Sequence, residues 1–385
     1  MSNEKNVIVK SDWVSNFSLI GVPKINDFTF KIDEKSERSS WIYNALNLGI
    51  DCGEKHGTVY CELMGGYSED NPNAIYAHGK KDDGSDDFSS QIQVDWDDRF
   101  NEEILEEIGD LSFITVGLEK TNKDKTYYKK FLSAYDAIAY IKKYLTENMV
   151  VNIKGNLKYS MYQDNVQVRK NITSIVLSKV DDASKYAARF TQTILIDKDS
   201  ASLKNVDKNK GVMYVEARVL DYVKEFNGVE VRGQFPYNTQ FEFEMDFNNE
   251  DQCKKIMEKV FKVKKNITQI TFEGDLIEGG AVVTATWDDV PEAIKDLVDC
   301  GVFSKEEALA RCSSNGNREQ RMVLRKPFVK LVGEDKTPVL QKFEDRFKED
   351  DLVLDCFNKE NEKEEEAEEE ESSGSGNDMS WLEDL

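Results

Sequence analysis

The first clear periodicity of apolar residues along the chain is that of a helix. Between residues 134 and 145, apolar side chains recur three and four positions apart, at Ile138, Ile141 and Leu145. That spacing places them on one face of a helix, which can then pack against a core. After a short turn, apolar and polar residues alternate over 150–157, and this alternation predicts a strand.

The same helix and strand recur in the second half. Residues 251–263 predict a helix, and residues 267–276 predict the strand that follows it. The two strands align at Gly155 and Gly274, an offset of 119 residues. This offset is too long for a solenoid repeat, so it indicates two copies of one domain.

Strand-rich segments precede each helix. In the first half they are residues 41–48, 57–64 and 111–118, and in the second half 212–223, 229–235 and 240–247. Asn227-Gly228 between β-branched runs is a hairpin signal. Three strands, a helix and a final strand or hairpin are the order of the OB-fold, a small Greek-key barrel. The predicted fold class is therefore mainly β with α (α+β), with two OB-like barrels in tandem.

This pattern divides the chain into four parts. The prediction is a first OB-like domain (1–182) with an acidic insertion (66–105), a second OB-like domain (189–287), a helical and strand extension packed on it (288–357) and a disordered acidic tail (358–385). We expect the insertion to be a solvated loop, with a metal-binding loop as the alternative, although it lacks the ligand spacing of a calcium loop.

The extension is predicted to contain two helices, over residues 288–299 and 304–312. A helix-turn-helix DNA reader is an alternative for this pair. The second helix, however, is short and has Lys305, Glu306 and Glu307 where base contacts would have to come from.

Charge and cysteine usage narrow the class of protein. The chain carries a net charge of −23, and residues 358–385 hold 12 Asp and Glu and 2 Lys, which leaves −13 for the rest. An acidic body counts against a basic reader of duplex DNA, although a local basic groove is compatible with it. The six cysteines form no CxxC, so we expect reduced thiols in a cytoplasmic protein. We expect neither a signal peptide nor a membrane span.

Catalytic motifs are not found in the sequence. It has no phosphate-binding GxxxxGK[ST], no GxGxxG, no HExxH and no GxSxG, and only His56 and His78 could supply imidazole. A magnesium-dependent nuclease built on Asp95, Asp97 and Asp98 remains an alternative. We expect a protein without cofactor, metal or catalytic residues.

Aromatic and basic residues alternate on the predicted strands. Exposed bases stack on flat rings while cationic groups follow the phosphates, so this mixture suits single-stranded nucleic acid. The candidate binding residues in the first copy are Tyr127, Tyr128, Lys129, Lys130, Lys154, Lys158, Tyr159, Tyr162, Arg169 and Lys170. Those in the second copy are Arg218, Tyr222, Lys224, Arg232, Phe235 and Tyr237. For any one of these aromatic residues, packing in the core is the alternative.

The C-terminal tail joins a glutamate run to a short apolar tip. Dense like charge and a Gly/Ser spacer predict disorder. The tip suits docking on another protein, or competition with nucleic acid for a basic groove of this chain; a solubilising tail is the alternative. The docking residues are predicted to be Asp378, Trp381, Leu382, Glu383, Asp384 and Leu385.

Barrels with interleaved Tyr, Lys and Arg, together with an acidic tail and an apolar tip, resemble the replicative single-stranded DNA-binding proteins of bacteria and their phages. Tails of that family commonly end in Pro-Phe, where this chain has Trp381-Leu382 and Leu385. The resemblance implies protection of unwound DNA in replication, recombination and repair, and recruitment of partner proteins by the tail. The alternative is a protein-interaction or virion assembly factor with OB-like barrels.

Overall fold

The protein is mainly β, with few helices. The computed structural model describes residues 12–279 and 319–353, except residues 164, 181, 227, 265, 266 and 334. Between these two ranges it also describes isolated positions from 287 to 308. The helices predicted at 288–299 and 304–312 lie outside the described residues apart from such isolated positions. The whole tail, 358–385, also lies outside them.

Among its described residues, the first half contains ten strands and two α-helices. They are β1 (Ser15–Lys24), β2 (Phe30–Lys35), β3 (Trp41–Asp51), β4 (Thr58–Ser68), β5 (Ile75–Lys80), β6 (Asp86–Val94), α1 (Glu102–Glu107), β7 (Ile114–Lys120), β8 (Thr126–Phe131), α2 (Ala134–Tyr144), β9 (Val151–Tyr162) and β10 (Asn165–Leu177).

The described second half contains nine more strands and one further helix. They are β11 (Ala187–Ile196), β12 (Ala201–Asp207), β13 (Val212–Phe226), β14 (Val229–Glu244), α3 (Glu250–Ile256), β15 (Ile267–Gly279), β16 (Glu319–Pro327), β17 (Val329–Val332), β18 (Thr337–Leu340) and β19 (Lys342–Phe347). A π-helical turn, Met257–Phe261, continues α3.

Five strands of the first half close into a barrel. β1 pairs with β3 and β9, β3 pairs with β4, and β9 pairs with β10, all antiparallel. β4 and β10 run parallel where Glu62 meets Asn171, which completes the circuit. Helix α2 lies between the third and fourth barrel strands in sequence and buries Ala137, Ile138 and Ile141. This is the strand order of an OB-fold, and the helix predicted at 134–145 is confirmed.

The strand pairs of the second half form another circuit with the same order. β11 pairs with β13, β13 with β14, β15 with β16 and β15 with β11, all antiparallel. β14 and β16 run parallel where Glu242 meets Val323. We call the two sets of five strands the first and second circuits.

The circuits join through antiparallel pairing of their first strands, β1 and β11. Phe17 lies opposite Phe190 at this junction. In the first circuit Phe17 also faces Gly155, and in the second Phe190 faces Gly274. A Cβ on Gly155 would lie 1.9 Å from the carbonyl oxygen of Asn171, and one on Gly274 would lie 2.3 Å from the Phe190 ring. The two glycines aligned in sequence therefore occupy corresponding crowded positions.

Several strands differ from the sequence prediction. The first strand of each circuit, β1 and β11, was not predicted, and β11 begins at Ala187, before the predicted start of the second domain at residue 189. Segments 229–235 and 240–247 fall largely in the single strand β14. Segment 111–118 overlaps β7, which lies between β4 and α2 and outside the barrel circuit. Strand β16 lies in the segment predicted as an extension and pairs into the second circuit.

The acidic insertion is folded, so the prediction of a solvated loop is wrong. β5 and β6 form a hairpin, followed by α1. Ala77, Val94, Ile108 and Phe113 form a small core of their own. The His78 ring bridges the hairpin to the following segment, with Nε2 2.7 Å from Asp86 Oδ1 and Nδ1 2.9 Å from Ser112 Oγ.

Candidate nucleic-acid interface

The β9–β10 hairpin presents a row of cations on its outer face. Alternation along β9 buries Ile153, Leu157 and Tyr159 and leaves Lys154 and Lys158 exposed. Arg169 on β10 is paired with Lys158 across the hairpin. Like charges placed directly opposite each other repel, and the Asp221 carboxylate, 3.2 Å from Lys158 Nζ, offsets part of this charge.

The same face continues onto the neighbouring hairpin. Register places Lys154 of β9, Ser174 of β10, Thr115 of β7 and Lys130 of β8 in one row across four strands. Tyr128 lies two residues from Lys130 on β8, on the same face, and is 57% exposed. A Cβ on Gly117 would meet the Tyr128 ring at 3.0 Å, so the glycine leaves room for this ring on the sheet.

At the hairpin tip the face ends in Tyr162. This residue lies four positions beyond Lys158 on β9, which keeps it on the same side of the strand, and it is 58% exposed. We call the set Tyr128, Lys130, Lys154, Lys158, Tyr162 and Arg169 the outer face. It combines exposed rings with cations on one continuous surface.

The β13–β14 hairpin of the second circuit adds a smaller exposed set. Tyr222 is 50% exposed, and Lys224 and Arg232 are also exposed. Arg232 forms an ion pair with Glu230, which reduces the positive charge it presents. This hairpin therefore offers one flat ring with cations near its tip.

Asp221 fixes the two hairpins to each other. Its carboxylate, only 5% exposed, accepts hydrogen bonds from the backbone N–H of Tyr159 at 2.9 Å and of Tyr222 at 2.8 Å. Lys158 Nζ lies 3.2 Å from the same carboxylate. A buried carboxylate with three donors holds its surroundings firmly. The exposed residues of the two hairpins are thus held at fixed positions relative to one another.

Three predicted base-stacking rings are buried, and that part of the prediction is wrong. Tyr159, Phe235 and Tyr237 are at most 4% exposed, and their rings pack together. The Tyr159 hydroxyl donates to Gln192 Oε1 at 3.1 Å. Burial raises the pKa of Tyr159, and the nearby charge of Asp221 adds to the increase. The same two causes raise the pKa of Tyr237 to about 12. These rings belong to the core and cannot stack on an external base.

Two predicted cations also have structural partners. Lys170 is 3% exposed and forms an ion pair with Glu278, so its assignment to the nucleic-acid surface is wrong. Arg218 is largely buried and pairs with Asp197 at 2.9 Å and Glu349 at 2.7 Å. Lys170 neutralises a buried carboxylate, whereas Arg218 pairs with carboxylates at the surface.

The remaining predicted residues are exposed, and two of them lie apart from the rows just described. Tyr127 is 50% exposed on β8, the last strand in the order of the large sheet. Lys129 is an exposed residue of the same strand, and its amine lies 5.2 Å from the Phe131 ring centroid and 5.0 Å from that of Tyr140. Lys130 on the outer face also forms a 2.9 Å ion pair with Asp110, which offsets part of its charge.

Sequence reasoning missed a cleft between the two circuits. It has a volume of about 390 Å³, and Tyr60, Glu62, Arg169 and Glu278 are among the residues that line it. Tyr60 is 42% exposed, and its ring lies over Gly49 of the paired strand. A glycine opposite a tyrosine was therefore the sequence signal for an exposed ring at this cleft. The lining carries both signs of charge.

Two further observations concern chemistry and membranes. Within the described ranges, no three His, Cys, Asp or Glu side chains are grouped as metal ligands. No helix among the described residues combines the length and apolar character needed to cross a membrane. The docking residues Asp378, Trp381, Leu382, Glu383, Asp384 and Leu385 lie outside the described residues.

Comparison with known proteins gives one family match. A family model described as YorF matches residues 78–293, more than half of the chain. No curated protein matches the chain. Among solved structures, a deletion mutant of the single-stranded DNA binding protein from Thermus aquaticus is similar with a TM-score of 0.30 and 9% identity, covering 69% of this chain and 87% of that one. At that TM-score the similarity carries no functional argument.

Proposed function

The chain belongs to the YorF family, and we propose that it is a non-catalytic protein that binds single-stranded DNA. The outer face carries this proposal. It sets the exposed rings of Tyr128 and Tyr162 on the same surface as four cations, Lys130, Lys154, Lys158 and Arg169.

The dimensions of this face suit an extended strand. Eight residues separate Lys154 from Tyr162 along β9, a distance of about 27 Å at the usual rise of a strand. Single-stranded binding proteins engage about 4 to 16 nucleotides per OB-fold through stacking and phosphate contacts. Cations along this length, with the Tyr162 ring at its end and the Tyr128 ring on β8, provide both kinds of contact without reading base edges, so we expect little sequence preference.

The second circuit has an exposed set of its own at the β13–β14 hairpin. We propose that it is a second OB-like barrel in tandem with the first, and that Tyr222, Lys224 and Arg232 bind a further part of the strand. The hydrogen bonds of Asp221 to the backbone of both hairpins support a single path over the two.

The cellular role that we propose is the protection of unwound DNA in the cytoplasm during replication, recombination and repair. The tail, with 12 Asp and Glu among residues 358–385 and Trp381 near its end, is proposed to recruit replication or recombination proteins. Its composition supports this role, because an acidic segment with an apolar tip can dock in a basic-rimmed apolar groove.

Fluorescence anisotropy with labelled oligo-dT tests the proposal. We expect binding that weakens as salt rises from about 50 to 200 mM, since bound phosphates release counterions. A duplex of the same length serves as the matched control and should bind more weakly. No binding at micromolar protein in low salt would refute the proposal and favour an interaction or assembly factor. Magnesium-dependent loss of the oligonucleotide would instead show a nuclease.

A further inference from the structure

The cleft between the two circuits lies where two barrel strands separate. β4 and β10 pair where Glu62 meets Asn171. Two residues earlier on the two strands, Tyr60 and Arg169 line the cleft. Side chains two positions apart on a strand share a face, so Tyr60 and Glu62 project from the same side of β4, and Asn47 lies directly opposite Glu62 on β3. A ring, a carboxylate and an amide therefore meet at one cleft.

The second circuit closes the cleft through Glu278, at the end of β15. Its buried carboxylate accepts hydrogen bonds from the backbone N–H of Tyr60 at 3.0 Å and from Gln320 Nε2 at 3.0 Å. It also forms the ion pair with the buried ammonium of Lys170. These two charges neutralise each other in the wall of the cleft, and a residue of the second circuit fixes the backbone that carries the Tyr60 ring.

Two other charged side chains line the cleft, those of Glu62 and Arg169. Neither forms an ion pair or a side-chain hydrogen bond with another of the described residues. Glu62 is half-buried, and a carboxylate that has lost part of its hydration is stabilised by hydrogen-bond donors. An ionised carboxylate can only accept hydrogen bonds, and its two oxygens can accept them side by side. The group that best fits Glu62 therefore presents two adjacent donors.

We propose that this cleft binds one guanine base of the bound strand, an inference that rests on the proposed binding of single-stranded DNA. The Watson–Crick edge of guanine carries the N1–H and the 2-amino group side by side, which match the two oxygens of Glu62. Its neighbouring O6 accepts a hydrogen bond from the Asn47 amide. The base stacks on the Tyr60 ring, and Arg169, which also belongs to the outer face, binds the adjoining phosphate. The cleft volume of about 390 Å³ is that of a small-ligand site.

The other three bases do not offer this pair of donors. Thymine has one N–H between two carbonyl oxygens, and adenine and cytosine each have an amino group beside a ring nitrogen that accepts. Facing Glu62, each of these bases would place an acceptor against the carboxylate, and a site with unpaired polar groups rejects such a ligand. The preference concerns a single nucleotide, because the other contacts of the outer face are with rings and phosphates.

Fluorescence anisotropy with oligonucleotides of one length tests the proposal. We expect oligo-dT that contains one central guanine to bind about tenfold more tightly than oligo-dT alone. Hypoxanthine at the same position should lose most of this gain, because it keeps the N1–H and O6 of guanine but lacks the 2-amino group. This comparison needs no change in the protein.

Substitution of the carboxylate assigns the preference to the cleft. Glu62→Gln should abolish the preference for guanine over thymine, because an amide offers one acceptor and one donor in place of two acceptors. Glu103→Gln is the matched control, since it removes one exposed carboxylate on α1, and it should keep the preference.

The possible outcomes separate this inference from the proposed function. Equal affinity of the wild type for the guanine-containing oligonucleotide and for oligo-dT would overturn the inference and leave the proposed function standing. No binding of either oligonucleotide would refute both. A guanine preference that persists in Glu62→Gln, or that hypoxanthine reproduces in full, would overturn the assignment of the base to Glu62.

Discussion

Tyr162 and Tyr159 lie three residues apart on β9 and should respond in opposite ways to the same substitution. Tyr162 is 58% exposed at the end of the outer face, whereas Tyr159 is 4% exposed in the core. Tyr162→Ala should weaken binding of single-stranded DNA by about 1 to 3 kcal/mol, a factor of about 5 to 150, because it removes a ring that stacks on a base. Its free energy of unfolding should change by about 0.5 kcal/mol or less.

Tyr159→Ala should instead destabilise the fold. It removes a fully packed ring and the hydrogen bond from its hydroxyl to Gln192, and losses of this kind cost about 3 to 5 kcal/mol. Tyr159→Phe is the milder partner variant, since it keeps the ring and loses only the hydroxyl, at a cost of about 1 kcal/mol.

Paired assays separate the two outcomes. Anisotropy with oligo-dT gives the affinity of each variant, and urea unfolding of the same preparation gives its free energy of unfolding. If Tyr162→Ala unfolds more easily and binds as tightly as the wild type, its ring packs rather than stacks. The assignment of the outer face to nucleic acid would then be wrong.

Three further outcomes follow from charged groups. Arg169→Gln should lower the slope of log affinity against log salt by about 0.7 if the guanidinium binds one phosphate; a slope equal to wild type in a salt titration contradicts this. Glu278→Gln should cost about 3 to 5 kcal/mol in urea unfolding because it leaves the buried Lys170 ammonium unpaired, and Lys170→Met in the same chain should recover part of the loss. Burial lowers the pKa of His56 below its ordinary 6.5, so the unfolded chain binds more protons between the two pKa values and stability falls as pH drops through 6.5. His56→Gln should remove that component of the fall between about pH 7.5 and 5.5, and an unchanged pH profile would contradict it.

Helical periodicity was the dependable signal in this sequence. Ile138 and Ile141 recur at helical spacing because one face of α2 packs on the barrel. Strand β1 has no such signal, since its inward positions include Gly21 and Pro23 after Phe17 and Leu19. Small or cyclic residues at those positions interrupt the apolar alternation on which strand prediction depends.

Strand β11 was missed for a different reason. It lies between β1 and β15 and is buried on both sides, so it shows no alternation of apolar and polar residues. Gln192 and Thr193 in its middle are buried, and they make hydrogen bonds that a sequence does not show. The formation of β11 therefore depends on pairing with strands that are distant in the sequence.

Part of the candidate site could be predicted from the alternation of side chains between the two faces of a strand. Tyr159 shares parity with Leu157 and Ile153, which assigns it to the core, whereas Lys154, Lys158 and Tyr162 fall on the other side. Parity could not reveal that Lys170 pairs with Glu278, because 108 residues separate them. Such contacts depend on how the two circuits meet.

The junction of β1 with β11 has a thermodynamic consequence for the binding of any polynucleotide that spans both circuits. One continuous sheet passes through Phe17 and Phe190, and one hydrophobic core includes residues of both circuits. The protein therefore has little conformational freedom to lose on binding, and the ordering entropy is lost mainly by the polynucleotide. Affinity should then rise in a step once an oligonucleotide is long enough to reach the β13–β14 hairpin from the outer face, because the second set of contacts forms without further ordering of the protein.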